Sequence, residues 1–382
     1  MDLSTHFPET ALDALARELA PGAAVVGIGE STRFAHETFA LRDRLTRRLV
    51  RDHGFRTVAV QDSAGAADAL DAYVTHGRGT AESALATAWR PWRTAETAAA
   101  LDWMRAFNLE HPGDPVRIIG VKPRQAGPED YDAVLDHVRA AAPHLLPELA
   151  GHLDPIRTAH TLDEHVQRAR GTHPGRPFTE HARDALALLD ALPARARDAD
   201  VRERMRLIAD FHAHSVAGKG DYVNDESVWA ATVADRHDRT GRGVVYWDGI
   251  SHTTAAPVAL GIRPDRAPHP TAGSTLRERF GSGYVSVAIG FHHGDLGVVR
   301  VPAPARDFLD SALGASAPAA HWIDLRDARA RRDWAGPAKA RVISGVYRPE
   351  NDAAEHLAVA SLPDAFDVLA HFPEATALSW LD

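Results

Sequence analysis

Short apolar runs alternate with longer amphipathic segments along much of the chain. Five of these runs are rich in β-branched residues and end at glycine or at a charged residue, which is typical of buried strands. They cover residues 23–29, 56–62, 116–122, 243–249 and 284–291. Segments of helical length, such as 34–53 and 94–110, lie between them. This alternation predicts an α/β fold with a mostly parallel central sheet flanked by helices.

The pattern changes in the middle of the chain. Between residues 128 and 218 the helical signals continue through two proline-containing breaks, and no strand-like run interrupts them. We therefore predict an α/β core formed by residues 1–127 and 219–382, with a helical insert at 128–218. Two interpretations of the insert stay open: a lid over the sheet, or a cover for an otherwise bare sheet face. After residue 300, the pattern predicts short helices and a final strand or two.

Composition excludes several classes of protein. The 382 residues are 45% hydrophobic and 25% charged, enough for a large core. A formal net charge of −9 argues against a nucleic-acid partner, because a phosphate-binding surface needs a basic face. The absence of cysteine excludes disulfides, thiolate zinc sites and a cysteine nucleophile. An acidic, polar start and the lack of a long apolar run predict a cytoplasmic protein with no membrane partner.

Polar residues follow the predicted strands closely. The carboxyl ends of parallel strands lie at one edge of a sheet, and ligands of open α/β sheets bind beyond that edge. The polar residues at these ends are Glu30, Gln61, Asp62, Lys122, Asp248 and His252. We expect a binding site there. Glu30 has a simpler alternative role, since an acidic residue at a strand-to-helix turn also stabilises the first N–H groups of the helix.

A family resemblance is carried, in chain order, by the blocks GIGESTRFAHETFALRDRLTRRLVRDHGF, TVAVQD, AWRPWRTAETAAALDWMRAFN, VRIIGVK, DESVWAATV and VVYWDGISH. They resemble the blocks of the erythromycin esterase family over about residues 20–300. A closing AFDVLAHF is similar to the family's last strand region. That family hydrolyses macrolide lactones, and many relatives are hydrolases of unknown substrate. The resemblance implies an α/β core with helical additions and a deep pocket at the strand ends.

The chain departs from the family pattern in its first two blocks. The family's first block carries a histidine, the proposed general base that activates water, and the matching position here is Arg33. The family's second strand ends in glutamate, where this chain has Gln61 followed by Asp62. Arginine cannot replace the base, because its guanidinium stays protonated. A hydrolase on this scaffold would need another proton acceptor, for which the candidates are Glu30, Asp62, His252 and His36.

A further departure lies in the later block, which reads Trp-x-His-Asn-x-His in the family. This chain keeps Trp247 and His252 but has Gly249 and Ile250 in place of the first histidine and the asparagine. The family residues that the site retains are Glu30, Arg42 and His252.

These observations define a candidate site. The helical spacing puts Arg33 and Arg42 on roughly the same face, where they would polarise a carbonyl or hold a substrate carboxylate. The candidate catalytic residues are Glu30, Arg33, Asp62 and His252. The candidate substrate-binding residues are Arg42, His36, Gln61, Trp247, Asp248, Lys122, Asp221 and Glu226. For Asp221 and Glu226, a helix-capping role is an equal alternative.

We predict an enzyme of the erythromycin esterase type that acts on a bulky small molecule. It would be an ester or lactone hydrolase, or a repurposed non-hydrolytic cyclase or lyase of specialised metabolism. The alternative is a non-catalytic protein that binds or sequesters a small molecule on the same scaffold. We expect no cofactor and no metal, since the chain has neither cysteine nor a His-x-x-x-His helix. The oligomeric state stays open.

Overall fold

A computed structural model describes residues 7–158, 176–214, 226–261, 267–317, 319–345, 347–354 and 356–381. The chain divides into two compact units. One comprises Met1–Pro123 with Glu226–Asp382, and the other is Arg124–Asp225. These boundaries fall a few residues from those predicted for the core and the insert. The proposed role of the insert as a lid stays a prediction.

Helices account for much of the described structure. They are α1 (Glu9–Leu19), α2 (His36–His53), α3 (Ala64–His76), α4 (Ala81–Leu85), α5 (Ala95–Glu110), α6 (Pro128–Ala141), α7 (Leu146–Arg157), α8 (Phe178–Asp190), α9 (Ala199–His214), α10 (Ser227–Thr240), α11 (Ile250–Thr253), α12 (Ala272–Phe280), α13 (Leu309–Ser316), α14 (Ala328–Asp333) and α15 (Leu362–Ala365). None of the described helices is both long and apolar enough to cross a membrane.

The strands form two sheets. They are β1 (Val25–Glu30), β2 (Phe55–Ser63), β3 (Arg117–Lys122), β4 (Gly243–Gly249), β5 (Ala259–Leu260), β6 (Tyr284–Asp295), β7 (Arg300–Val301), β8 (His321–Asp324), β9 (Ala338–Arg341), β10 (His356–Val359) and β11 (Val368–Thr376). The main sheet has the order β3-β2-β4-β1-β6-β11-β8, and β7 pairs with β6. Strands β1 to β4, β6 and β11 are parallel, whereas β7 and β8 are antiparallel to their neighbours. The predicted fold class is therefore confirmed.

The region after residue 300 differs from its prediction. It contributes the five strands β7 to β11, more than the one or two expected. Two of them join β5 in a separate antiparallel sheet with the order β5-β10-β9. Strands of two to four residues are too short to produce a recognisable alternation of apolar and polar positions, which is why the sequence pattern missed them.

The second unit has its own apolar core. In its described residues, helices α6 to α9 pack together and no strand occurs. Its most buried side chains include Tyr131, Leu153, Ile156, Met205 and Ile208.

Strand β1 lies at the centre of the main sheet, and all six of its residues are buried. It pairs in parallel with β4 on one side and β6 on the other, so that Glu30 lies opposite Gly249 and Ile289. Two of its positions are glycine because neighbouring groups approach the backbone closely. A Cβ atom at Gly27 would collide with Tyr284, and one at Gly29 would collide with α11. The same register brings the carboxyl ends of β1, β2 and β4 to one edge.

An ion pair buried within the first unit connects β1 to α2. The Arg42 guanidinium donates a hydrogen bond to one Glu30 oxygen, and the Thr38 hydroxyl donates to the other at 3.1 Å. Both charged side chains are only 1% exposed. The Arg42 guanidinium lies 4.5 Å from the Trp247 ring centre and 4.9 Å from that of Trp92. Aromatic faces thus supply the attraction that water would otherwise provide.

The surroundings of this pair act on its protonation in opposite directions. Burial raises the pKa of Glu30 and lowers the pKa of Arg42, while the attraction between the two charges opposes both changes. The burial of Glu30 is the stronger influence on its pKa.

Removal of one partner tests how far the structure depends on this pair. We expect Arg42→Met to lower the free energy of unfolding by about 3–5 kcal/mol, because it leaves a buried charge without compensation. Urea denaturation followed by tryptophan fluorescence measures the change. The double variant Glu30→Gln/Arg42→Met removes both charges and is expected to recover part of the loss.

Arg300→Met is the matched control. Its ion pair with Asp295 is on the surface, with the Arg300 side chain 82% exposed. The expected loss there is at most about 1 kcal/mol. If Arg42→Met costs no more than the control, the buried pair does not stabilise the fold in the way argued.

Candidate functional site

A continuous network of hydrogen bonds joins polar side chains at the carboxyl ends of the strands. It links Arg33, from the turn between β1 and α2, to Asp248 at the end of β4 and to Gln61 near the end of β2. Gln61 in turn contacts His252, which contacts Glu226. The parallel strands place these residues at one edge, as expected, although they are far apart in sequence.

Arg33 joins the network through a single nitrogen. Its Nη2 atom donates to both Asp248 and Gln61, and its side chain stays 17% exposed. Asp248 is fully buried, and it also accepts hydrogen bonds from the Tyr246 hydroxyl at 2.5 Å and from the Gly249 N–H at 2.7 Å. Asp248 therefore holds the Arg33 guanidinium in place at the end of β4.

His252 lies on the short helix α11, directly after β4, and its side chain is 17% exposed. Its Nδ1 atom is 2.7 Å from a Glu226 oxygen, and its Nε2 atom is 3.2 Å from the Gln61 amide nitrogen. Since the Gln61 oxygen accepts from Arg33, the Gln61 amide nitrogen donates to His252. Neutral His252 then carries its proton on Nδ1 and offers the Nε2 lone pair.

Glu226 fixes the histidine from the other side. It precedes α10, and its second oxygen accepts a hydrogen bond from the Ala272 N–H at 2.8 Å, at the start of α12. Trp229, on the first turn of α10, lies with its ring centre 5.4 Å from that of His252. The imidazole is thus held by a carboxylate, an amide and an indole.

The charges around His252 alter its affinity for a proton. Burial disfavours the imidazolium, but the carboxylates of Glu226 and Asp248 outweigh it and raise the pKa of His252 above its ordinary value of 6.5. The Asp248 oxygen lies 4.0 Å from Nε2. The two carboxylates therefore favour the charged form of His252.

Several predicted residues lie beneath this network. Glu30 and Arg42 contact each other and are shielded from solvent, and Trp247 packs on Arg42 while its Nε1 donates to Thr46 at 2.8 Å. In the described structure, these three side chains pack together on the buried side of the network.

Asp62 and Lys122 lie at the ends of β2 and β3. The two Asp62 oxygens accept backbone N–H groups of Ser63 and Trp89, each at 2.7 Å. Burial raises the pKa of Asp62, and these two hydrogen bonds oppose the change. The Lys122 ammonium lies 5.4 Å from the Trp89 ring centre and 5.3 Å from that of Trp229.

Two other predicted residues are not part of the network. His36 is 3.0 Å from Glu96 on α5, and its side chain is 45% exposed. Asp221 lies outside the described residues. Among the residues that the structure does describe, no group of three or more histidine and acidic side chains is arranged to hold a metal ion.

A cavity of about 20 Å³ borders the ends of β1 and β4. It is lined by Ser31 and Ile250 from the strand ends, and by Asp310 and Arg341 from outside the network. None of the predicted site residues lines it. A deep pocket that contains them stays a prediction.

The sequence reasoning missed three supporting residues. Tyr246 lies two positions before Asp248, so the two side chains share one face of β4. Trp229 follows Glu226 by three residues, which places it one helical turn away. Trp89 stands in the noted segment WRPWR, but only the folded loop shows that it contacts Arg33, at 4.9 Å.

The arrangement combines a proton acceptor with a fixed positive charge. His252 Nε2 can take or return a proton, and the adjacent Arg33 guanidinium can stabilise a negative oxygen. Glu226 favours the imidazolium that forms when His252 accepts a proton.

Comparisons with solved structures show which known proteins share this fold. A crystal structure of a Bacillus cereus protein matches with a TM-score of 0.65 and 20% identity, and covers 100% of this chain and 96% of that one. A succinoglycan biosynthesis protein matches with a TM-score of 0.63, 19% identity and coverages of 99% and 94%. A mutant erythromycin esterase in its open conformation matches with a TM-score of 0.60, 15% identity and coverages of 95% and 93%. At these identities the likeness shows the fold alone.

No curated protein matches this chain. The family model described as erythromycin esterase matches residues 50–375, which is most of the chain. The protein therefore belongs to the erythromycin esterase family.

Proposed function

We propose that the protein is a hydrolase of small-molecule esters or lactones, with His252 as its general base. The observation that carries this proposal is the Glu226–His252 pair at the strand ends. Its carboxylate-to-imidazole distance is 2.7 Å, and its histidine is partly exposed beside Arg33. Family membership supports a hydrolase, and this pair supplies a base where Arg33 cannot.

The proposed reaction uses two groups of the network. Nε2 of neutral His252 takes a proton from water while the water oxygen attacks the carbonyl carbon of the ester. The charge that develops on the carbonyl oxygen faces the Arg33 guanidinium. The bond to the leaving oxygen then breaks, and His252 returns its proton to that oxygen. The products are an acid and an alcohol.

Glu30, Arg42 and Asp62 act as positioning residues in this proposal. The buried ion pair of Glu30 and Arg42 fixes the start of α2 against β1, and hence the turn that carries Arg33. Asp62 anchors the loop of Trp89, which lies against Arg33. None of the three has to touch the substrate.

One observation favours a second candidate, a protein that binds a small molecule without turnover. The Nε2 atom that would take the proton already accepts a hydrogen bond from Gln61 at 3.2 Å. Catalysis requires water to replace the amide at this atom. If the amide stays in place, a ligand is bound but not converted.

Turnover by the wild type separates the two candidates, and a histidine substitution tests the role of His252. In a panel of esters and lactones, a hydrolysed substrate gains the mass of one water, whereas a cyclase or lyase product does not. We expect His252→Gln to lower kcat by roughly 10²–10⁴-fold, the usual cost of losing a general base. Mass spectrometry of timed reactions measures both quantities.

His237→Gln is the matched control. His237 lies on α10, where its Nδ1 atom is 2.9 Å from the Arg242 carbonyl oxygen and its ring centre is 5.4 Å from that of Phe280. Because neither contact belongs to the network of His252, this variant is expected to keep the wild-type rate. Ligand binding with no product in the wild type would favour the binding protein, and an unchanged rate in His252→Gln would remove His252 from the mechanism.

The pH dependence follows from the carboxylates beside His252. Because neutral His252 is the active form, the rate is expected to rise with pH through a pKa above 6.5. The preference for the imidazolium stabilises the fold below pH 6.5, and this contribution is lost as the pH rises through the folded-state pKa.

Glu226→Gln removes the nearer negative charge, so the pKa of His252 should fall and the rate should rise at lower pH than in the wild type. Carbon-13 NMR of labelled histidines gives the pKa directly, with the His252 signal assigned by its loss in His252→Gln. A pKa that stays the same or rises in Glu226→Gln would show that Glu226 does not control His252.

A further inference from the structure

We propose that the substrate carries a carboxylate, which Lys122 binds while Arg33 contacts the ester carbonyl. This inference deepens the proposed function and rests on it for the identity of the reaction. It is drawn from the hydrogen-bonding groups at the strand ends, where the acceptors are filled and two donors are open.

Lysine is scarce in this protein. Of the 43 lysine and arginine residues, only three are lysines. One of them, Lys122, lies at the end of β3. A lysine differs from an arginine in that it offers a compact, strongly charged ammonium group on a flexible stem. Since the chain has arginine at almost all of its basic positions, the lysine next to the network is an exception.

Two indole rings hold the Lys122 ammonium. Its Nζ atom lies 5.4 Å from the Trp89 ring centre and 5.3 Å from that of Trp229, and the residue is partly exposed. In the part of the chain that the structure describes, no oxygen accepts a hydrogen bond from this ammonium, and it acts on the Asp62 carboxylate through its charge alone. Aromatic faces attract a cation but leave its N–H groups available to a ligand.

Arg33 has open donors as well. Only its Nη2 atom donates, to Gln61 and Asp248. Its Nε atom is buried and has no partner among the described residues. Of the five N–H groups of the guanidinium, the two on Nη1 make no hydrogen bond among the described residues and remain for a ligand.

Each oxygen of the carboxylates at the site accepts a hydrogen bond from a donor of the protein. Glu30 accepts from Arg42 and Thr38, Asp62 from Ser63 and Trp89, Asp248 from Arg33, Gly249 and Tyr246, and Glu226 from His252 and Ala272. A ligand that enters this edge therefore meets unfilled donors and filled acceptors. It satisfies the donors by bringing acceptor oxygens, and an anionic oxygen binds an ammonium most strongly.

The two open cations are close enough to serve one small ligand. The Arg33 guanidinium carbon lies 4.9 Å from the Trp89 ring centre, and the Lys122 nitrogen lies 5.4 Å from the same ring centre. Arg33 also lies beside His252, so the ester would be next to the proposed base.

A matched pair of probes tests this inference by binding alone. Monomethyl glutarate, as its monoanion, and dimethyl glutarate share the carbon chain and one ester, and differ by one charge. Ligand-detected NMR titration of the full-length protein gives the Kd of each. We expect the monoanion to bind about tenfold or more tightly, the usual value of a hydrogen bond to a charged group. Lys122→Met is expected to abolish the difference, and Lys122→Arg to retain part of it.

Lys339→Met is the control, because Lys339 forms an exposed ion pair with Asp307 at 2.7 Å. It should preserve the discrimination. Equal binding of the two probes to the wild type, or discrimination that survives Lys122→Met, would overturn the inference. If Lys122→Met does not fold, salt titration of the wild type decides: added salt must weaken binding of the monoanion and not of the diester. A salt-independent Kd for the monoanion would also overturn it.

The His252→Gln variant separates this inference from the proposed function. We expect it to keep the discrimination between the two probes while losing turnover. If it loses neither, the hydrolase mechanism fails and the carboxylate site stands. If the wild type hydrolyses neutral esters and does not discriminate between the probes, the carboxylate site fails and the hydrolase stands.

Discussion

The buried ion pair of Glu30 and Arg42 is the constraint on which the site depends. Two charges with 1% exposed side chains are costly to remove from water, and the cost is offset only while each has its partner. The pair also requires Trp92 and Trp247 to face the guanidinium. Helix α2 cannot slide or turn against β1 without breaking all of these contacts, so the turn before it is held in one place.

The fixed turn in turn positions polar residues at the solvent-facing edge of the sheet. The turn carries Arg33, whose guanidinium meets Asp248 from β4 and Gln61 from β2. Gln61 also orients His252. Its oxygen accepts a hydrogen bond from Arg33, so its amide nitrogen donates to His252. The buried pair of Glu30 and Arg42 thus orients a network in which His252 and Arg33 remain partly exposed. Preorganised polar groups of this kind are what general base catalysis needs.

The sequence predicted the sheet and the edge well, and the contacts within the edge less well. Strands such as β1 and β4 are continuous apolar runs, and parallel order alone brings their ends together. Which way a polar side chain turns depends on packing that no local pattern records. His36 therefore turns to Glu96 instead of the network. Asp62 accepts a hydrogen bond from the Trp89 N–H, 27 residues further along the chain. Trp229 of α10 packs on His252 of α11.

Two positions that are far apart along the chain, Arg33 and Gly249, are adjacent in space. The resemblance implies histidines at the positions of Arg33 and Gly249. A Cβ atom at Gly249 would lie 3.3 Å from both terminal nitrogens of Arg33, tighter than ordinary van der Waals contact. A side chain there would press on the guanidinium that Asp248 and Gln61 hold. Arg33 and Gly249 are therefore complementary in size, since the guanidinium occupies space that a side chain at position 249 would need.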